Sequence, residues 1–244
     1  MELPTINLGY RTKPQVCWQP MAQKRKYNEG CAVAHALDLV GERWALLIVR
    51  ELLLGPKRFT DLRVGLPAVS PDVLAQRLRE LTEAGVVQQR TLPPPAAAQV
   101  YELTDRGAEL EPIVIALGRW GSRSVSLNPA AGSSTDSLAL SLRALFNPQA
   151  AQGFSATLAL RLGDAAYRIV IADCELQVDR GDAVAPAATL ITDRTTLAGL
   201  LYGGQPLDDA LQTGAAKITG QTSVVVRFLG LFPLPTTPGR AVSI

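Results

Sequence analysis

Ser70-Pro-Asp-Val-Leu-Ala-Gln-Arg-Leu-Arg-Glu-Leu-Thr-Glu-Ala-Gly85 is the stretch on which the fold turns. Serine is a good helix N-cap, and proline suits the first helical position because its missing N–H would have had no partner there. Glycine supplies the stop. Leu74, Leu78 and Leu81 recur at helical spacing and form one apolar stripe. Asp72, Ala75, Gln76 and Arg79 are left on the opposite face, free to meet something outside the protein.

Working outward, the upstream chain reads as three helices. Ala32–Val40 is short; Trp44, Leu47, Ile48, Leu52 and Leu53 recur at three- and four-residue spacing until Gly55-Pro56; Thr60 to about Gly65 follows, with Phe59 and Leu62 inward. Leu66-Pro67-Ala68-Val69 is a tight connection to the Ser70 helix. Downstream, Val86–Leu92 and Gln99–Leu103 are extended and flank Pro93-Pro94-Pro95-Ala96-Ala97-Ala98, a hairpin with a stiff apolar tip. Thr104 is expected to cap one long helix through Leu110, Ile113, Leu117 and Trp120, with more apolar surface than a small domain needs.

Helix, short turn, helix and hairpin is the geometry that lets a second helix enter a DNA major groove about 12 Å wide while a wing reaches nearby backbone. Candidate contacts with double-stranded DNA are Ser70, Asp72, Gln76 and Arg79: glutamine pairs with adenine, arginine with guanine, and a helix N-terminus receives phosphate. Lys57 and Arg58 are placed to hold phosphate, and Arg90 is the main cation of the wing. Arg77 fits a helix-surface ion pair with Glu80 as well as it fits DNA. On pattern alone, an ordinary solvated face explains these charges equally well.

Bulk composition narrows the classes. A chain of 244 residues favours two compact units, and 47% hydrophobic with 19% charged residues suits soluble globular cores. Net charge is only +2, and residues 127–244 carry more acids than bases, so a nucleic-acid surface belongs to the first half. Cys17, Cys31 and Cys174 are widely spaced and odd in number, as in a reducing cytoplasm. No signal peptide, membrane association or span is expected. His35 stands alone without suitably spaced cysteines, so neither a metal nor another cofactor is expected. There is no phosphate loop or nucleophile elbow, and Asp208-Asp209 reads as favourable charge at a helix start, so the chain does not read as an enzyme.

The composition divides the chain into a basic, flexible leader (1–26), a winged domain (27–126), a linker of turn residues (127–136), a second domain (137–235) and a tail (236–244). The second domain reads as a helix Asp136–Phe146, strands around Phe154–Leu162, Tyr167–Ile171, Leu176–Val178 and Thr189–Thr192, a helix capped by Asp193, a helical turn Leu207–Leu211, a strand Ala215–Thr219 and a helix Thr222–Phe232. Consecutive strands with largely segregated helices make an α+β fold.

Two resemblances sharpen this reading. Residues 27–126 resemble the HxlR-type family of bacterial winged helix regulators through Cys31-Ala-Val-Ala, Val40-Gly-Glu-Arg-Trp44, Arg50-Glu-Leu52, Gly55-Pro-Lys-Arg-Phe59, Leu74-Ala-Gln-Arg-Leu78-Arg-Glu-Leu81, Ala84-Gly-Val86, Tyr101-Glu-Leu-Thr-Asp-Arg-Gly107 and Leu117-Gly-Arg-Trp120-Gly121. The resemblance implies that Ser70–Gly85 is a recognition helix, that Arg58 touches phosphate and that the terminal helices form a homodimer. It also places Cys31 where several members carry a redox-active thiol; a small buried apolar residue is the competing reading. Residues 137–235 resemble the sterol-carrier-protein fold through Leu200-Leu-Tyr-Gly-Gly204, Pro206-Leu-Asp-Asp-Ala210 and Lys217-Ile-Thr-Gly220. That resemblance implies an apolar tunnel lined by Phe154, Leu158, Leu160, Ile169, Ile171, Leu176, Leu200, Leu211, Phe228 and Phe232; the same residues could simply fill a core. The resulting expectation is a cytoplasmic homodimeric regulator whose operator affinity responds to an apolar small-molecule effector. The alternatives are a repressor switched through the Cys31 thiol, and a lipid or metabolite carrier whose winged domain only dimerises.

Overall fold

The computed structural model describes residues 26–124, 126–128 and 132–233. The leader before Lys26, Cys17, linker residues 129–131 and the tail 236–244 lie outside the described residues. The winged unit runs α1 (Ala32–Val40), α2 (Ala45–Leu52), α3 (Phe59–Gly65), α4 (Pro71–Glu83), β1 (Val87–Thr91), β2 (Gln99–Leu103), α5 (Asp105–Ala108) and α6 (Glu111–Gly121). The second unit runs α7 (Thr135–Leu145), β3 (Ala156–Leu162), β4 (Ala165–Ala172), β5 (Glu175–Arg180), β6 (Ala188–Thr192), α8 (Arg194–Tyr202), α9 (Leu207–Gln212), β7 (Ala216–Gly220) and α10 (Thr222–Leu229).

Local chemistry sets the winged unit. The Ser70 hydroxyl accepts from the Val73 N–H at 3.4 Å, Pro71 opens α4, and Gly85 ends it with φ +68°, a conformation open to glycine. Leu74, Leu78 and Leu81 are buried against α2, whose Ile48, Val49 and Leu52 are buried too. β1 and β2 pair antiparallel with Val87 opposite Leu103. Lys57 and Tyr101 exchange backbone hydrogen bonds of 2.9 and 2.8 Å, fastening the start of α3 to the wing.

The long helix expected after Thr104 is divided. Thr104 caps the one-turn α5 by accepting from the Gly107 N–H at 3.0 Å, and α6 begins anew at Glu111. Pro112 accounts for the break: its ring would collide with the carbonyl four residues back, whereas it is tolerated in the first turn of a new helix.

The second unit is a single sheet covered by helices on one face. Strand order is β5-β4-β3-β6-β7, with β3 and β6 parallel and every other pair antiparallel. Leu158, Leu160 and Leu162 of β3 and Tyr167, Ile169 and Ile171 of β4 point into the core, where Leu142, Leu197 and Phe228 cover them. Arg161 and Arg168 on the opposite face pair with Asp182 and Asp179 in solvent. Asp173 and Cys174 both have positive φ, giving β4 and β5 the two-residue turn whose twist suits a hairpin.

The two units meet through a buried ion cluster. Glu51 of α2 and Asp136 of α7 are 0% and 1% exposed, and the Lys57 ammonium lies 2.6 Å from a carboxylate oxygen of each. The free Glu51 oxygen accepts from Ser134 at 2.6 Å and Arg50 at 2.8 Å, and Asp136 accepts from Tyr167 at 2.5 Å and Arg180 at 2.9 Å. Leu54, just after α2, reaches into the core of the second unit.

Removing one partner of such a cluster strands the others in a low-dielectric interior. Lys57→Met should therefore destabilise the protein by about 3–5 kcal/mol, measured by urea unfolding; a loss below about 1 kcal/mol would mean the cluster is dispensable. Burial raises the Glu51 pKa, but the Lys57 charge and hydrogen bond, Ser134 and Arg50 outweigh it, leaving the carboxyl below its ordinary 4.5. Glu51 consequently stabilises the fold above that value, and the contribution disappears as pH falls through the lower folded-state value. Below pH 4.5 the wild-type unfolding free energy should fall more steeply with acid than that of Glu51→Gln; parallel slopes would contradict the assignment.

Candidate nucleic-acid interface

The exposed side of α4 carries a ladder of polar side chains. Arg79 donates to the Gln76 carbonyl oxygen at 2.6 Å, and the Gln76 amide donates to Glu80 at 2.7 Å. Glu80 also receives Arg77, which reaches across to Glu42 at 3.5 Å. Asp72 is exposed in the first turn, and Ser70 is engaged in its cap. Gln76 and Arg79 therefore present groups able to read base edges, each held by a bond that base contact would replace. Arg77 is tied on both sides by carboxylates.

The phosphate candidates separate. Arg58 is exposed at the N-cap of α3, where its backbone N–H donates to Asp61 at 3.0 Å. Lys57 requires a correction: it is 6% exposed, and its ammonium is consumed by Glu51 and Asp136 inside the protein. Consecutive residues in extended backbone point to opposite sides, so one of the pair faces out and the other in. Arg90 lies on β1 with its guanidinium forked onto Glu102 at 2.8 to 3.0 Å, which neutralises much of the wing's charge. Sequence reasoning missed Glu51 and Asp136. Glu51 lies three residues after buried Ile48 on the inner face of α2, a signal that could have revealed it; Asp136 in a first helical turn looks like ordinary favourable charge.

Large apolar side chains are also exposed in the winged unit. Ile113, Leu117 and Trp120 of α6 are exposed, as are Val33 and Leu37 of α1. Trp44 packs on the winged core with φ 79° and carries the Arg43 guanidinium 4.9 Å above its ring. Cys31 is exposed at the N-terminus of α1, and the N–H groups of Ala34 and Val33 lower its thiol pKa. The buried reading of this thiol does not hold.

The tunnel expected in the second unit is also corrected. Leu158, Leu160, Ile169, Ile171, Phe228 and Phe232 are at most 2% exposed in one close-packed core, with Phe228 and Phe232 ring centroids 5.0 Å apart. Phe154, Leu200 and Leu211 pack against the same core. Side chains this deeply buried belong to the core of the unit. Two cavities lie instead at the junction of the units. One of about 290 Å³ is walled by α2, α6 and α7. The other, about 510 Å³ and widely open, borders α6, Arg143, Phe146, Leu176 and Asp179; Leu176 alone of the ten expected residues lines either one.

Among the described residues no group of side chains could hold a metal ion, and no helix is long and apolar enough to cross a membrane. Residues 39–128 match the family model HxlR-like helix-turn-helix, and residues 130–238 match the model alkyl sulfatase C-terminal, a description other than sterol carrier. The HTH-type transcriptional regulator YodB of Bacillus subtilis (strain 168) is 34% identical over 88 residues, 36% of this chain and 79% of that protein. A solved structure of the redox regulator HypR in its oxidized form has 31% identity, covering 40% of this chain and 100% of that one with a TM-score of 0.37. The uncharacterized HTH-type transcriptional regulator YvaP of Bacillus subtilis (strain 168) is 39% identical over 87 residues, 36% of this chain and 81% of that protein. On that identity, and with a winged helix-turn-helix from α1 to β2, the chain belongs to the HxlR-like helix-turn-helix family of DNA-binding transcriptional regulators.

Proposed function

We propose that the protein is a homodimeric regulator that reads a two-fold symmetric operator with α4 and whose operator affinity is set by a small-molecule effector. The observation that carries this reading is the α4 face, where exposed Arg79 and half-buried Gln76 stand above a leucine stripe that fixes their direction. The dimer is supported by the α6 surface, where Ile113, Leu117 and Trp120 are 54%, 49% and 69% exposed on one helix. The second unit, of sterol-carrier kind by its sequence motifs, is the natural partner of the effector because its α7 is packed directly on α2 and α6.

A second reading has its own observation. The Cys31 thiol is exposed and two backbone N–H groups lower its pKa, both of which favour oxidation. Under this reading, Cys31→Ser abolishes a peroxide-dependent change in operator affinity; under effector control the variant behaves as wild type. The carrier alternative, in which the winged unit only dimerises, requires that no DNA be bound specifically.

Gel-shift titration against the DNA upstream of the protein's own gene tests the reading. Arg79→Ala should weaken operator binding by about 1–3 kcal/mol and relax preference at one base position, whereas Arg58→Ala should weaken all sequences alike and reduce the salt slope. Equal binding by both variants and wild type would move the interface off α4. Trp120→Glu should convert the dimer to a monomer in sedimentation at low micromolar concentration; an unchanged mass would place the interface elsewhere.

A further inference from the structure

We propose that the cavity of about 290 Å³ between α2, α6 and α7 is a binding site for a small amphiphilic monoanion, a compact apolar body carrying one carboxylate. The inference rests on the effector reading above and names both the place and the chemistry. The volume sits at the lower edge of small-molecule pockets, about 300–1,000 Å³. Leu46, Leu47, Val114, Leu140 and Leu145 make the walls apolar.

Polar groups from α2 and α7 also line it. Arg50 lines the cavity, and its Nε–H is buried with no acceptor, while Nη2 is taken by Glu51. Ser137 and Ser141 also face the cavity, Ser141 sharing a hydrogen bond of 2.8 Å with Tyr202. The charges behind Arg50 do not balance. Arg50, Lys57 and Arg180 are three cations joined to only two carboxylates, Glu51 and Asp136, leaving one positive charge over. A carboxylate drawn to Arg50 cancels that excess and, after a small turn of the guanidinium, gives Nε–H the acceptor it lacks; a charge-assisted bond of this kind is about twice as strong as a neutral one. In the wider 510 Å³ depression, Arg143 also has a buried Nε–H without an acceptor, but there Arg143 and Arg168 face two carboxylates, Glu111 and Asp179, and no positive charge is left over.

The cavity is also placed to be felt. α2 packs on α4, α6 presents the exposed apolar face, and α7 belongs to the second unit. A molecule wedged among the three changes how α4 is carried relative to α6, and by linkage operator DNA changes the affinity for that molecule by the same factor.

Calorimetric titration of the full chain with octanoate and with octan-1-ol tests the site. Octanoate is expected to bind once per chain and at least about tenfold more tightly than the alcohol, a preference that Arg50→Gln removes. A Cβ at Gly118 would meet only Ala144 at 3.8 Å, so Gly118→Leu extends into the cavity and should abolish binding while operator affinity persists. Ser137→Leu fills it from α7 and gives the same readout if the first variant does not fold. Equal affinity for acid and alcohol, no binding of either up to millimolar concentration, or unchanged binding by a folded cavity-filled variant would each overturn the proposal. Octanoate binding that Gly118→Leu abolishes supports the site even if operator affinity does not respond, an outcome that removes only the regulatory reading.

Discussion

The structure depends on one ammonium group shared between two buried carboxylates. Lys57 belongs by sequence to the approach to α3, yet its side chain ties Glu51 of the winged unit to Asp136 of the second unit. Its backbone is simultaneously paired with Tyr101 of the wing. Recognition helices, wing and second unit are thus referred to a single point. An apolar contact of similar area would tolerate sliding, whereas buried ions with satisfied hydrogen bonds accept few alternative arrangements.

Much of this architecture was legible in the chain because the signals are local. Ser70, Pro71 and Gly85 bracket α4, and its leucines sit at helical spacing, so both its limits and its outward face could be read. The alternation in β3 and β4 gave the sheet its buried side for the same reason. What escaped was non-local. No periodicity distinguishes Lys57 facing inward from Arg58 facing outward, since that choice is made by carboxylates six and seventy-nine residues away. The expected tunnel failed on similar grounds: alternation identifies which side chains face inward but not whether a space remains between them, which only their interdigitation decides.

The division of labour between the units follows from the packing. The second unit has its own core, with a solvated outer sheet face, yet it borrows Leu54 from the end of α2 and lays α7 against α6. Such an arrangement makes the two units neighbours in energy as well as in space. α2 packs on both α7 and α4, so it is the element that joins their seam to the exposed helix.

The self-matched cations of the winged unit have a consequence for how the protein would search a chromosome. Lys57 is withdrawn, Arg77 is held by two carboxylates and Arg90 by one, whereas Arg43, Arg58, Arg63 and Arg79 are exposed and, among the described residues, in no ion pair. Each phosphate neutralised adds about 0.9 to the salt slope and to the grip on arbitrary sequence, so every cation withdrawn into the protein removes one such increment. The many random sites of a genome compete less well the fewer of these contacts a protein makes. On the proposed reading, the choice of an operator then falls to the α4 face rather than to these withdrawn cations.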